Sequence, residues 1–442
     1  MRSRSRAWIW LLGKEWRELV AARAWWVLLV AMGPLVGFAF ISAAQTYAEA
    51  SGLNGTALGV GEAFSPLIGV WAPTFSACEL AAVFLLPFVA IRLVAGDRQS
   101  GALKLEIQQP MPTLARVANK ALVLGAGWAV ATTAPLVAVG LWHSYGGAIY
   151  PPELFAVVMG HFLNAALTIG LACAMAAIAE HPSTAAILTL SVTVGTWILN
   201  FIAAVHGGWW ERAAGYTPTA MVAEFQHGLI RLDTTLVAVA LTAAGLVLTA
   251  IWLRIGVPVR RRAWESAGLT ALAAAVVLAA TLVHPSWDVS ENRGNSFSIA
   301  EEAALGRITA PLRIEAHLAP EDPRRFDLDL RVLKKLRRVV PQLDVQYVSA
   351  TSIGLFEQTS PHYGEVWYDL GGRRTMNRVT TPEGVLEVIF ELSGITPGAE
   401  PAGSEFRGHP LAVPPRGAPW VFYLVWPAVT IGLGLFVDRR RT

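Results

Sequence analysis

The sequence predicts a polytopic α-helical membrane protein with about eight transmembrane helices and an α/β extracytoplasmic domain between the last two. Three observations carry this. The 442 residues are 54% hydrophobic and 15% charged, against about 25% charged in an ordinary soluble domain. The mean hydropathy is positive, and apolar residues gather into runs of about 20, the length that crosses a bilayer core. Basic residues then fall at alternate ends of successive runs, as the positive-inside rule requires.

The elements follow in order. Residues 5–24 place Trp8, Leu11, Leu12, Trp16, Leu19 and Val20 on one helical face, with charges including Lys14, Glu15 and Arg17 assigned to the other. That pattern suits an amphipathic helix lying in the membrane interface; a signal-anchor flank is the plainer alternative. No cleavable signal sequence is expected, because Lys14, Glu15, Arg17 and Glu18 precede any long apolar run. The first span is expected at 25–43, with Pro34 tolerated if a neighbouring helix satisfies the freed carbonyl. A polar loop follows at 44–70. Further spans are expected at 72–95, 121–142, 153–179, 184–205, 235–253, 265–284 and 419–437. The stretch 206–233 is mixed and reads as short interfacial helices.

Orientation follows from Lys and Arg. The N-terminus, the polar interval 97–120, Arg254 to Arg262 and the final Arg439-Arg440-Arg441 are basic, whereas 44–70 and 143–152 hold no Lys or Arg. With eight spans all basic segments share one side, so both termini are expected in the cytoplasm. Trp25, Trp26, Trp71, Trp142, Trp209, Trp210, Trp264, Trp287 and Trp420 fall near span ends, where headgroup depth suits their rings. Cys78 and Cys173 lie inside apolar runs and read as small core residues. The net charge of +3 is too small to argue for nucleic acid.

The domain plan is a core over 1–262, a seventh span over 263–285, an α/β domain with a Pro/Gly-rich linker over 286–417, and an eighth span with a basic tail over 418–442. Within the domain, 311–318 and 343–348 read as strands, and 326–340 as a surface helix. Gly371-Gly372 joins two strands in a hairpin. Thr381-Pro382-Glu383 opens a helix that Ser393-Gly394 closes. Arg331, Lys334, Lys335, Arg337 and Arg338 read as a solvated face, or as a contact for anionic lipid or an acidic partner.

No G-x-x-x-x-G-K-[ST] loop occurs, so ATP phosphates are not expected to bind in the usual way. His143, His181, His206 and His227 lack ligand spacing, and no metal is expected. No catalytic residues are expected either. Glu79, His161 and Asn164 lie inside apolar runs, where ionisable and polar groups are expensive. They are candidates for a translocation path, with a hydrogen bond between packed helices as the alternative.

The interval 97–120, DRQSGALKLEIQQPMPTLARVANK, is the longest polar stretch among the early spans. With the N-terminal helix and the first span it resembles the corresponding part of ABC-2 type permeases. Asp97, Gly101, Leu103, Pro110 and Lys120 match their pattern, while Ala102 stands for a Thr and Lys104 for a Glu, with Glu106 two places on. The resemblance covers about 5–256, including GYTPTAMVAEFQHGLIRLD before span six. It implies that Asp97, Arg98, Gly101, Leu103, Lys104, Glu106 and Pro110 couple to an ATPase, through a short helix at 103–108 or 113–119. It also implies that Trp8, Lys14, Glu15, Trp16 and Arg17 form the interfacial helix. WDVSENRGNSFSIAEEA and the stretch 364–395 are similar to the extracytoplasmic domain of gliding-motility (Gld)-type ABC subunits.

Together these resemblances imply a membrane subunit of an ABC exporter. It would carry no cofactor of its own, ATP and Mg being bound by a separate cytoplasmic ABC ATPase. A second permease copy or related permease, the lipid membrane and an extracytoplasmic partner are the other implied contacts. The rival reading is a mechanotransmitter or assembly platform that moves its extracytoplasmic domain with nothing transported.

Overall fold

The structure, a computed structural model, describes residues 2–53, 64–101, 111–206, 209–319, 322–340, 342–348, 362–399 and 406–440. Among them eight helices are long and apolar enough to cross a membrane: Arg23–Ala50, Leu67–Ser100, Thr113–Ser144, Pro151–Ile178, Pro182–Ala203, Leu232–Trp252, Val259–Ala280 and Ala418–Arg439. They are referred to below as spans one to eight. Contacts divide the chain into two compact units, 1–289 with 407–442 and 290–406.

In the first unit the helices overrun the expected limits. The polar loop expected from residue 44 begins only after Ala50, because Tyr47 is buried. Its ring meets Trp142 edge-on at 5.4 Å, and its hydroxyl lies 2.8 Å from both Phe64 O and His409 O, to either of which it can donate. Trp71 and Trp142, expected at headgroup depth, are instead fully buried beside it. The polar tip that would have drawn Trp142 to the interface is satisfied inside, where its Nε1 donates to Ala148 O at 2.9 Å. Trp209, Trp264, Trp287 and Trp420 remain exposed. Both cysteines are buried and free.

Span one runs through Pro34 unbroken. Gly33 and Gly37, one turn apart, leave a groove that span eight fills. A Cβ on Gly33 would lie 2.2 Å from Trp426, and one on Gly37 would lie 2.3 Å from Phe422. Trp426 Nε1 donates to Leu29 O at 2.7 Å, beside the Val30 carbonyl that Pro34 leaves without its helical donor.

Between spans five and six the chain forms short helices Trp209–Ala214 and Pro218–Gln226, as the mixed stretch suggested. A feature the sequence did not reveal follows them. Strand β1 (Leu229–Arg231) pairs antiparallel with β2 (Ser286–Asp288), the segment leaving span seven. Three-residue strands carry too little periodicity to be read from sequence.

The second unit is a two-layer α/β fold. Strands β3 (Leu312–Ala316), β4 (Leu343–Tyr347), β5 (Val366–Leu370) and β6 (Arg373–Asn377) form one sheet in the order β4-β3-β5-β6. β3 and β4 are parallel, joined through a helical run over 323–339, and the other pairings are antiparallel. Alternation decides the faces. Leu312, Ile314, Ala316, Val366, Tyr368 and Leu370 turn inward onto Leu328, Leu333, Leu336, Val385 and Ile389. Ser298 and Glu301 close a capping box on helix Ile299–Leu305. Thr381 caps helix Pro382–Ser393, and Gly394, at φ 69°, ends it.

The basic face of 331–338 is only partly solvated. Lys335 Nζ donates to Ser296 O at 3.0 Å and Arg338 to Asn295 O, so two of the five cations hold the segment that opens the unit. Asp322 caps the 323–339 run, and the Arg324 guanidinium holds its carboxyl down at about 2. On the opposite face of the sheet a cavity of about 100 Å³ is lined by Arg313, Glu315, Trp367, Asp369 and Arg374. Arg374 is already engaged there: it stacks on Trp367 at 4.6 Å and meets Glu315 at 3.0 Å.

Candidate functional site

The polar interval 97–120 turns inward at both ends. Span two continues as helix to Ser100, where Gly101 at φ 77° stops it in the left-handed region. The chain is extended at Pro112 and helical again from Thr113. Thr113–Asn119 is therefore the first part of span three and not a separate short helix. Leu103, Lys104, Glu106 and Pro110 lie outside the described residues.

Asp97, near the end of span two, and Lys120, near the start of span three, meet Glu15 of the N-terminal helix Arg2–Ala21. Lys120 Nζ donates to both Glu15 oxygens, at 2.8 and 2.7 Å, and to Asp97 Oδ2. Glu15, Asp97 and Lys120 are 0%, 4% and 3% exposed. At the rim Lys14 reaches Asp97 at 3.1 Å and Glu18 at 3.0 Å. The sequence pattern assigned Glu15 to the charged side of this helix. The structure corrects this: Glu15 sits between Leu11 and Leu19 on the buried stripe, because residues four apart share a face. Trp8 and Trp16 lie at the edge, partly exposed, and Arg17 donates to Gly13 O within the helix.

Burial raises the Glu15 carboxyl above its ordinary value, with the Lys120 and Lys14 ammonium groups pulling the other way. The carboxylates of Glu15, Glu18 and Asp97 lie within 4.8 Å of one another, the spacing of a cation site. The cations among them are lysine ammonium groups, which balance the charge of Glu15 and Asp97 one for one. The arrangement joins three segments far apart in sequence through one buried point. Close packing supports it: Leu19 presses on span three where a Cβ on Gly127 would lie 2.7 Å away. Asn119 donates to Trp8 O at 3.4 Å.

Arg98, one residue on, faces another way. Its Nη1 donates to the carbonyls of Ala176, Ala177 and Ala179, each at 2.9 Å. Ala176 and Ala177 are among the last acceptors of span four, which lack helical donors, and Ala179 is its C-cap; a cation there also suits the helix dipole. Arg98 thus ties span two to span four. Arg98→Met should cost about 1–3 kcal/mol by stranding these carbonyls, read as a lowered unfolding temperature in detergent. Arg98→Lys should recover part of the loss, since an ammonium lacks the planar fork.

The residues expected along a translocation path do not pair with each other. Glu79 on span two lies beside Thr219 of helix Pro218–Gln226. His161 on span four is buried, stacked near Phe75 at 5.7 Å, and its Nε2 lies 3.2 Å from Gln226 Nε2. Since an amide nitrogen only donates, His161 Nε2 is the acceptor. Gln226 also reaches Ser76 Oγ at 3.4 Å. Asn164 is buried on the same helix. Helix Pro218–Gln226, not named from sequence as a site element, is therefore where the polar groups of spans two and four converge. Beyond it Arg231 pairs with Glu224 at 2.6 Å and with Asp233, which Tyr216 OH also reaches at 3.1 Å. Comparison with family models, with curated proteins and with solved structures gives no match for this chain.

Proposed function

We propose that this chain is the membrane subunit of an ABC-2 type exporter. In this reading a separate cytoplasmic ATPase hydrolyses ATP, and the chain couples that hydrolysis to export or extraction of a substrate across the inner membrane. The observation that carries it is the buried Glu15–Lys120–Asp97 junction. It fastens the N-terminal helix to both ends of the polar interval between spans two and three, so a push on either is delivered to both spans. A loop without such a role has no reason to be anchored by three charges taken out of water. Arg98 extends the same load to span four.

The second reading, mechanotransmission to the extracytoplasmic domain, is supported by the β1–β2 ribbon. The ribbon holds the chain just before the second unit against the segment that enters span six.

The first reading is tested by exchanging charges within the interval, Lys104→Glu with Glu106→Lys, in the full chain co-expressed with the ATPase encoded nearest to it. Co-purification of the ATPase should fall at least tenfold and its coupled activity with it. An unchanged complex with unchanged activity would remove the docking assignment.

A further inference from the structure

We propose that helix Pro218–Gln226 and the β1–β2 ribbon form one mechanical link, running from the buried polar groups of spans two and four to the last residues before the second unit. The inference goes beyond the exporter reading and does not depend on an ATPase.

At the membrane-side end the helix is held by fixed contacts. Gln226 meets His161 and Ser76, and Thr219 lies beside Glu79. Phe225 lies against Gly160 so closely that a Cβ there would sit 2.5 Å from Phe225 Cβ. Thr217 caps the helix and donates to Asn200 of span five at 2.9 Å. Spans two, four and five therefore all set its position.

At the other end the helix stops at His227, and Gly228, at φ 76°, turns the chain directly into β1. Nothing elastic intervenes. Val289 N donates to Gly228 O at 2.8 Å and Leu232 N to Pro285 O at 3.0 Å, which closes the ribbon at both ends. By the alternation of an antiparallel ladder, Ile230 and Trp287 exchange the bonds between them. Arg231, the last residue of β1, is locked between Glu224 of the short helix and Asp233 of span six. Ile230 and Val289 both pack on the small apolar cluster of Ala156, Met221, Val222 and Phe225. Helix, ribbon and Val289 thus share one core and one ion-pair cluster, and a local opening of either element exposes the other.

The test is hydrogen–deuterium exchange of the full chain in nanodiscs, without any partner. Gly160→Ala pushes on Phe225 from span four, and Gln226→Ala, a milder change, removes the contacts to His161 and Ser76. Either should speed exchange of the 286–289 amides about tenfold along with 218–226, the factor that roughly 1.4 kcal/mol of lost local stability produces. The capped helix Ile299–Leu305 should keep its wild-type rate. Leu229→Cys with Asp288→Cys, a pair at a closely spaced position of the ladder, should abolish the acceleration at 286–289 once oxidised. The link is refuted if 218–226 loosens while 286–289 exchanges as in wild type, or if 286–289 is unprotected to begin with. Because no ATPase is present, loss of ATPase docking in the charge-exchange experiment leaves this result untouched.

Discussion

Lys120→Met should destabilise the folded protein by about 3–5 kcal/mol, the cost of leaving buried charge without its partner. The variant keeps most of the side-chain volume, so little of the loss is packing. What it removes is the ammonium that donates to both Glu15 oxygens and to Asp97. Two carboxylates then face each other out of water with only Lys14 at the rim. The measurement is unfolding in detergent followed by tryptophan fluorescence and by size-exclusion recovery. The combined variant Lys120→Met, Glu15→Gln, Asp97→Asn should regain most of the stability, since no buried charge remains uncompensated. A single variant as stable as wild type would mean that the junction is hydrated and not closed.

The same junction sets a pH dependence. Glu15 holds its proton more readily folded than unfolded, because burial raises its carboxyl. A raised group contributes stability that is complete below its unfolded value and is lost as pH rises through its folded value. Stability should therefore decline over that window as pH increases. Glu15→Gln, which cannot titrate, should flatten the slope.

How much of this was legible in the sequence depended on which forces wrote each feature. The spans were legible because bilayer thickness imposes long apolar runs, and in the second unit β3 followed from alternation of period two, β5 and β6 from the Gly371-Gly372 turn between them. Glu15 was misread because a single charge inside the Leu11–Leu19 stripe looks like a flaw in an amphipathic pattern. Its partner Lys120 lies 105 residues away, and no local rule reports such a pair. Trp71 and Trp142 were placed at headgroup depth by the average habit of their residue type, which their packing against Tyr47 overrides. The β1–β2 ribbon was invisible for a different reason, because its two halves are too short to show a period and are separated by spans six and seven.

Gly245→Leu should be among the most damaging single substitutions, at about 3 kcal/mol or more, beyond the usual cost of overpacking. Spans four and six meet there backbone to backbone. A Cβ on Gly245 would lie 2.7 Å from the carbonyl carbon of Gly170 and 2.8 Å from its oxygen, while a Cβ on Gly170 would lie 3.0 Å from Thr242 O. A side chain that collides with another side chain finds a new rotamer, but one that collides with a helix backbone must move the helix. Such contact between small residues is how helices associate in a bilayer, where no hydrophobic drive favours one apolar neighbour over another. The displacement would reach beyond the crossing. Span four ends at the carbonyls that Arg98 holds, and the first turn of span six holds Asp233, which anchors Arg231 and the ribbon. Gly245→Leu should therefore lower the folded yield in membranes and accelerate exchange at 286–289, with Gly245→Ala intermediate in both. Gly268→Leu on span seven, where an added Cβ meets no heavy atom within 4 Å, should be near neutral and serves as the control for leucine added to a span. If Gly245→Leu melted with the wild type, spans four and six would not cross at these glycines, and the load path from Arg98 to the ribbon would lose its middle section.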